Sequence, residues 1–154
     1  MVGRRSEEAA FEGFVREVEP RLRRAFLAAY GAERGREATA EALGWAWSHW
    51  RRVREMSNPA GYLYRVGQSR TRRRRDGYLV ASGSNEVPWI EPRLRYALAE
   101  LSEHQRVAVV LVHGFGWSSS EVAALLGIKP TTVQTHVERG LARLRAALEV
   151  YDDA

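Results

Sequence analysis

The chain has 154 residues, 45% of them hydrophobic, which suits one ordinary domain or two small ones and excludes global disorder. It contains no cysteine, which excludes disulfides, thiolate zinc sites and cysteine nucleophiles. The net charge is +5, but residues 1–78 carry +7, residues 79–92 carry −2 and residues 93–154 are neutral.

In chain order, Phe11, Phe14, Val15, Val18, Leu22 and Phe26 recur at helical spacing, with Pro20 expected to kink the helix or break it in two. Gly31 to Gly35 reads as a loop. Beyond it Ala38, Ala42, Trp45 and His49 share one helical face, and Glu37, Glu41 and Ser48 share another. Asn58-Pro59 is a helix start, with Asn as cap and Pro in the first turn. Tyr62, Leu63 and Val66 carry that helix toward the run Arg72, Arg73, Arg74, Arg75. Between Arg51 and Arg75, nine arginines face Glu55 alone, a density that attracts a polyanion, most commonly nucleic acid.

Residues 77–92 are rich in Gly, Ser and Pro and read as a flexible linker. They separate an N-terminal domain, 1–76, from a C-terminal domain, 93–154. The class expected is all-α, two small helical domains of which the second is a helix-turn-helix. Ser102-x-x-Gln105 and Ser118-x-x-Glu121 are capping boxes, each directly before an apolar run. The run Val107–Val112 is the longest unbroken one; its six residues are far short of the ~20 that a membrane span needs. Gly127 ends the helix that starts after Ser118, Ile128 plugs the corner, and Pro130 opens a long helix whose apolar face is Val133, Val137, Leu141, Leu144 and Leu148. Thr131, Thr132, Gln134, Thr135, His136, Glu138 and Arg139 then lie around the N-terminal half of a recognition helix, where Gln and Arg can bond base edges.

No enzyme site converges. Asp occurs only at Asp76, Asp152 and Asp153, so a buried triad acid is implausible. The four histidines lack metal-ligand spacing, and Gly114-Phe115-Gly116 has no preceding strand to make it a phosphate loop. No cofactor or metal is expected. Arg4 and Arg5 are followed by no apolar stretch, so no signal peptide is read, and a cytoplasmic, reducing location fits.

The stretch from Leu98 to Leu148 resembles the C-terminal DNA-binding domain of bacterial sigma factors, through Leu101-Ser102-Glu103-His104-Gln105-Arg106, Gly114, Glu121-Val122-Ala123, Leu126-Gly127 and Thr132-Val133. Upstream, Trp45-Ala46-Trp47 stands where the family's core-polymerase-binding helix carries aromatics. Asn58-Pro59-Ala60-Gly61-Tyr62-Leu63-Tyr64-Arg65-Val66 is similar to the helix that reads the −10 element. The two-domain layout is that of the extracytoplasmic-function (ECF) group. The resemblance implies a sigma factor that binds core RNA polymerase through Glu37, Glu41 and Trp47. It implies −10 contacts from Asn58, Tyr62, Arg65 and Arg72 to Arg75, and −35 contacts from the recognition helix. An anti-sigma protein is a further partner of the kind such a factor has. Glu37-Ala38-Thr39-Ala40-Glu41 departs from the family's usual Asp-x-x-Gln-Glu. Thr132-Val133-Gln134-Thr135-His136 also resembles the LuxR-type helix-turn-helix, so the alternative is a DNA-binding transcriptional regulator that does not join polymerase. The sixteen linker residues reach at most about 55 Å, against about 58 Å for seventeen base pairs of duplex.

Overall fold

The structure, a computed structural model, describes residues 2–72 and 92–152. The expected linker and Arg73 to Arg75 therefore lie outside the described residues. Helix is the regular structure found throughout them.

Helix α1 (Val2–Tyr30) runs through Pro20 without a break. This corrects the expected division into two helices. Proline in a helix interior forfeits one hydrogen bond and costs about 3 kcal/mol in isolation. Here Val18, Leu22, Ala25, Phe26, Ala28 and Ala29 bury one continuous face on both sides of it, and that packing holds the chain helical. The loop expected at Gly31–Gly35 shrinks to Gly31, whose φ of 86° makes the turn into α2 (Ala32–Ser48). Gly35 serves closeness instead. A Cβ there would lie 2.9 Å from the Leu27 nitrogen, so only glycine lets α2 start flush against the end of α1. The buried face of α2 is small, made of Ala38, Thr39, Ala42 and Ala46, which keeps the two helices close.

A short α3 (Trp50–Val53) leads to α4 (Pro59–Arg72). Asn58 caps α4 as expected, its Oδ1 accepting from Gly61 N at 3.2 Å. Helices α1, α2 and α4 form a three-helix unit around Leu22, Phe26, Leu63 and Tyr64.

The second half comprises α5 (Pro92–Ala99), α6 (Glu103–Val109), α7 (Ser119–Leu126) and α8 (Pro130–Asp152). Both capping boxes form, with Ser102 and Ser118 hydroxyls accepting from Gln105 N and Glu121 N while both side chains reach back. The bonds from the Ser118 amide and then from its hydroxyl hold the Glu121 carboxyl below the usual carboxylate range. The apolar run Val107–Val112 is helical, and from Val110 to Gly114 it widens into a π-helix. The turn that follows falls at Gly116, with φ of 74°. Gly127 takes the left-handed conformation at φ 70° and closes α7.

The halves do not form separate cores. One buried cluster runs from Val18, Leu22 and Phe26 through Leu63 and Tyr64 to Val107, Leu111, Trp117, Val122 and Val133. A second, smaller cluster holds α5, α6 and α8 together around Leu98, Leu101, Val109 and Leu144. At the seam, Arg106 is 6% exposed. Its guanidinium donates to the Ala28 and Ala29 carbonyls at 3.1 and 2.6 Å and to the Leu101 carbonyl at 3.0 Å. The last carbonyls of α1 lack intrahelical donors and sit at the negative end of the helix dipole, so a cation is favoured there. Among the described residues no helix is long and apolar enough to cross a membrane.

Candidate nucleic-acid interface

Two groups of candidate residues are on the surface. The first is the N-terminal half of α8. Val133 is fully buried and anchors the helix on α7. Thr131, Thr132, Gln134, Glu138 and Arg139 are exposed in consequence, because they lie on the other side of a 3.6-residue period. Thr135 is half-buried, its hydroxyl donating to the Thr131 carbonyl at 3.2 Å. His136 is also half-buried and meets His104 of α6 edge-on, ring centres 5.4 Å apart. The exposed set is thus a polar ridge carrying an amide and a guanidinium, the two side chains suited to bidentate base recognition.

Burial, then the neighbouring His104 and Arg139 charges, push His136 below the ordinary histidine range. The folded state disfavours the protonated ring, so the unfolded chain takes up that proton first. Stability is accordingly lost as pH falls through the unfolded value of about 6.5. A urea-unfolding midpoint that falls between about pH 7.5 and 5.5 should fall less in His136→Gln.

The second group gathers where α2, α3 and α4 meet. Tyr62 lies beside Trp45 at 5.3 Å between ring centres, and Trp45 stacks on His49 at 4.1 Å. Arg52 and Arg65 stand over the Tyr62 ring at 5.4 and 5.9 Å, and Arg52 also donates to its hydroxyl at 3.3 Å. Trp45, Tyr62 and Arg65 border a cleft of about 720 Å³ that is also lined by Glu41, Ser69 and Arg70. Aromatic faces among guanidinium groups suit an unpaired nucleobase with its phosphates. Arg52 was counted among the basic residues but not singled out, because no periodicity links α3 to a tyrosine ten positions later.

The residues expected to meet polymerase are divided. Glu37 is exposed on α2, and Glu41 faces the Tyr62 cleft. Trp47 points elsewhere, packing on Phe11 of α1 at 4.9 Å while remaining 42% exposed. Asn58 spends one end of its amide on the α4 cap and donates from the other to the Ala124 carbonyl of α7 at 2.7 Å. Arg72 ends α4.

Residues 92–144, which span α5 to α8, match the family described as Sigma-70, region 4. Two curated relatives are similar over part of the chain. One is the RNA polymerase sigma-E factor of Streptomyces antibioticus, 45% identical over 56 residues, which is 36% of this chain and 31% of that protein. The other is the RNA polymerase sigma factor CarQ of Myxococcus xanthus, 37% identical over 68 residues, 44% of this chain and 39% of that one. The matches thus span about a third of those relatives' length. A solved structure shares the fold over 92% of this chain and 98% of its own, with TM-score 0.62 and 24% identity. It is the co-crystal structure of the sigma factor RpoE with the anti-sigma factor NepR from Bartonella quintana.

The helix-turn-helix formed by α7 and the N-terminal part of α8 lies within the segment that matches Sigma-70, region 4. Both curated relatives are RNA polymerase sigma factors rather than LuxR-type regulators.

Proposed function

We propose that the protein binds core RNA polymerase and directs it to promoters, with α8 reading the −35 element as duplex and the Tyr62 cleft engaging the −10 strand. The observation that carries this reading is the exposed ridge Thr131, Thr132, Gln134 and Arg139 within the segment that matches sigma-70 region 4. The aromatic and guanidinium lining of the cleft supports the second role. The excess of arginine between Arg51 and Arg75 supplies attraction to phosphate that is independent of base sequence. The protein works in the cytoplasm, on the nucleoid, and an anti-sigma protein is a partner of the kind seen with the RpoE of similar fold.

Reconstituted transcription tests the proposal. Core polymerase with this chain should start RNA at promoters selected from a random library, and core alone should not. Absence of selected starts together with absence of core binding would reject it. On the polymerase side, Glu37→Arg with Glu41→Arg should weaken association with core several-fold while the circular dichroism stays helical, because both carboxylates reach the surface of α2. Unchanged association would remove these two residues from the contact.

A further inference from the structure

The four histidines have no ligand spacing along the chain, but the fold brings two of them together. Helix α8 crosses α6 at Gly140, where a Cβ would lie 2.7 Å from Val109 Cγ2 and 3.5 Å from Gln105 Cβ. Glycine alone permits that approach. On one side of the crossing, Arg143 donates to Gln105 Oε1 at 3.1 Å and to the Glu100 carbonyl at 3.0 Å. On the other side, one turn before Gly140, His136 meets His104 with ring centres 5.4 Å apart and planes 73° apart. The pair therefore sits on two helices whose spacing is already fixed.

The distance suits a shared ion. A divalent metal about 2.0–2.1 Å from an imidazole nitrogen lies about 3.2 Å from that ring's centre, so two imidazoles at a tetrahedral angle have centres about 5.2 Å apart. Coordination in the plane of each ring leaves the angle between the planes open. Among the described residues neither ring has a hydrogen-bonding protein partner. Both rings are half-buried, reachable from solvent yet held by packing. Burial first, and then the His104 and Arg139 charges, keep His136 at neutral pH in the uncharged form that a metal requires.

The surroundings set how tightly an ion is held. Arg139, three residues beyond His136, opposes a cation. Glu103, next to His104 in the chain, accepts from Gln68 of α4 at 3.0 Å. Among the described residues no group of three or more His, Asp or Glu converges on a metal position. The pair thus offers two nitrogens and leaves the other positions to water. Imidazole donors suit a borderline transition metal such as Zn²⁺ and not Mg²⁺ or Ca²⁺, which take oxygen.

We propose that His104 and His136 form a two-imidazole site for a divalent transition metal of the zinc kind, and that the bound ion ties the N-terminal half of α8 to α6. Coordinate bonds then replace a ring contact. Thr132, Gln134 and Arg139, all exposed, are presented from a helix held at Arg143, at Gly140 and at the ion. The site belongs to the C-terminal half alone and stands whether or not the chain joins polymerase.

Calorimetric titration of the full chain with Zn²⁺, free of any histidine tag and at about pH 7.5, tests this. Wild type should bind one equivalent, and Mg²⁺ should give no heat. His104→Gln and His136→Gln should each weaken binding about tenfold or more. The double variant should be no worse than either, because a chelate fails when one arm is lost. Arg139→Ala should tighten binding a few-fold, since a repelling charge is removed. His49→Gln with His113→Gln, at exposed rings elsewhere, should leave the affinity unchanged. Zinc should also raise the urea midpoint of wild type and not that of either single variant. Each variant is compared with itself, with and without zinc, so a histidine change that lowers stability does not hide the result. No binding by wild type, or binding kept by both single variants, would overturn the site. Losses that add in the double variant would mean two separate imidazoles rather than one shared ion. Loss of the equivalent in the His49 and His113 variant would place the metal elsewhere, and binding without a gain in midpoint would refute the tie between the helices.

Discussion

Gly67→Ala is expected to destabilise the protein by about 3 kcal/mol. In an exposed helix interior the same change would stabilise by about 1 kcal/mol, through the better helix propensity of alanine. Here the new Cβ would lie 2.2 Å from Phe26 Cζ and 2.8 Å from Cε1. The ring cannot step aside: Phe26 is fully buried, stacked on Tyr64 with centres 4.9 Å apart and flanked by Tyr30 at 6.2 Å. Helix α4 must then lift from α1, taking Tyr62 away from Trp45 and Arg52. Urea unfolding would show a lower midpoint with an unchanged slope. Adding Phe26→Leu should give a double variant less destabilised than the sum of the two single changes, since the smaller side chain makes room. An unaltered midpoint in Gly67→Ala would mean that α4 does not press on Phe26 as described.

The second large effect concerns base reading. The C-terminal half carries no net charge, so its specificity has to come from a few placed groups. Gln134 and Arg139 are exposed on α8 because Val133 is locked into the core. A bidentate pair from glutamine to adenine or from arginine to guanine gives about 1–3 kcal/mol of discrimination. Gln134→Ala or Arg139→Ala should therefore relax preference at one or two −35 positions by about ten- to a hundredfold and leave the −10 preference alone. Selection of a promoter library with each variant measures this. If both variants, still folded, keep the parental −35 preference, α8 is not the reading helix. His136 is expected to contribute least, since its ring is turned to His104.

The helix-turn-helix was legible residue by residue because its signals are local. A serine cap, a glutamate three positions on, a glycine at positive φ and valines one turn apart are each satisfied within a few residues, and Ser118, Glu121, Gly127 and Val133 all occupy those roles. The same holds for Asn58. The errors arose where a local signal has two physical uses. Pro20 breaks helices in isolation, yet burial on both sides carries α1 through it. Gly35 looks like a loop residue, but it is needed for close approach of two helices. The clustering of Tyr62 with Arg52 and Trp45 was not legible, since three helices contribute and no spacing in the chain records their meeting.

By itself, then, the sequence determined the helical class, the caps, the corner at Gly127 and the polar ridge of α8, all of which rest on interactions within one or two turns. It also carried the resemblance to sigma factors in the segment that matches region 4. Only the tertiary structure decided that the halves share a core and that Arg106, an ordinary basic residue in a charge count, is buried. A guanidinium tolerates such burial only where acceptors converge on it. Those acceptors are backbone carbonyls at Ala28, Ala29 and Leu101, which no side-chain pattern encodes and which α1 presents only where its C-terminal end meets α6.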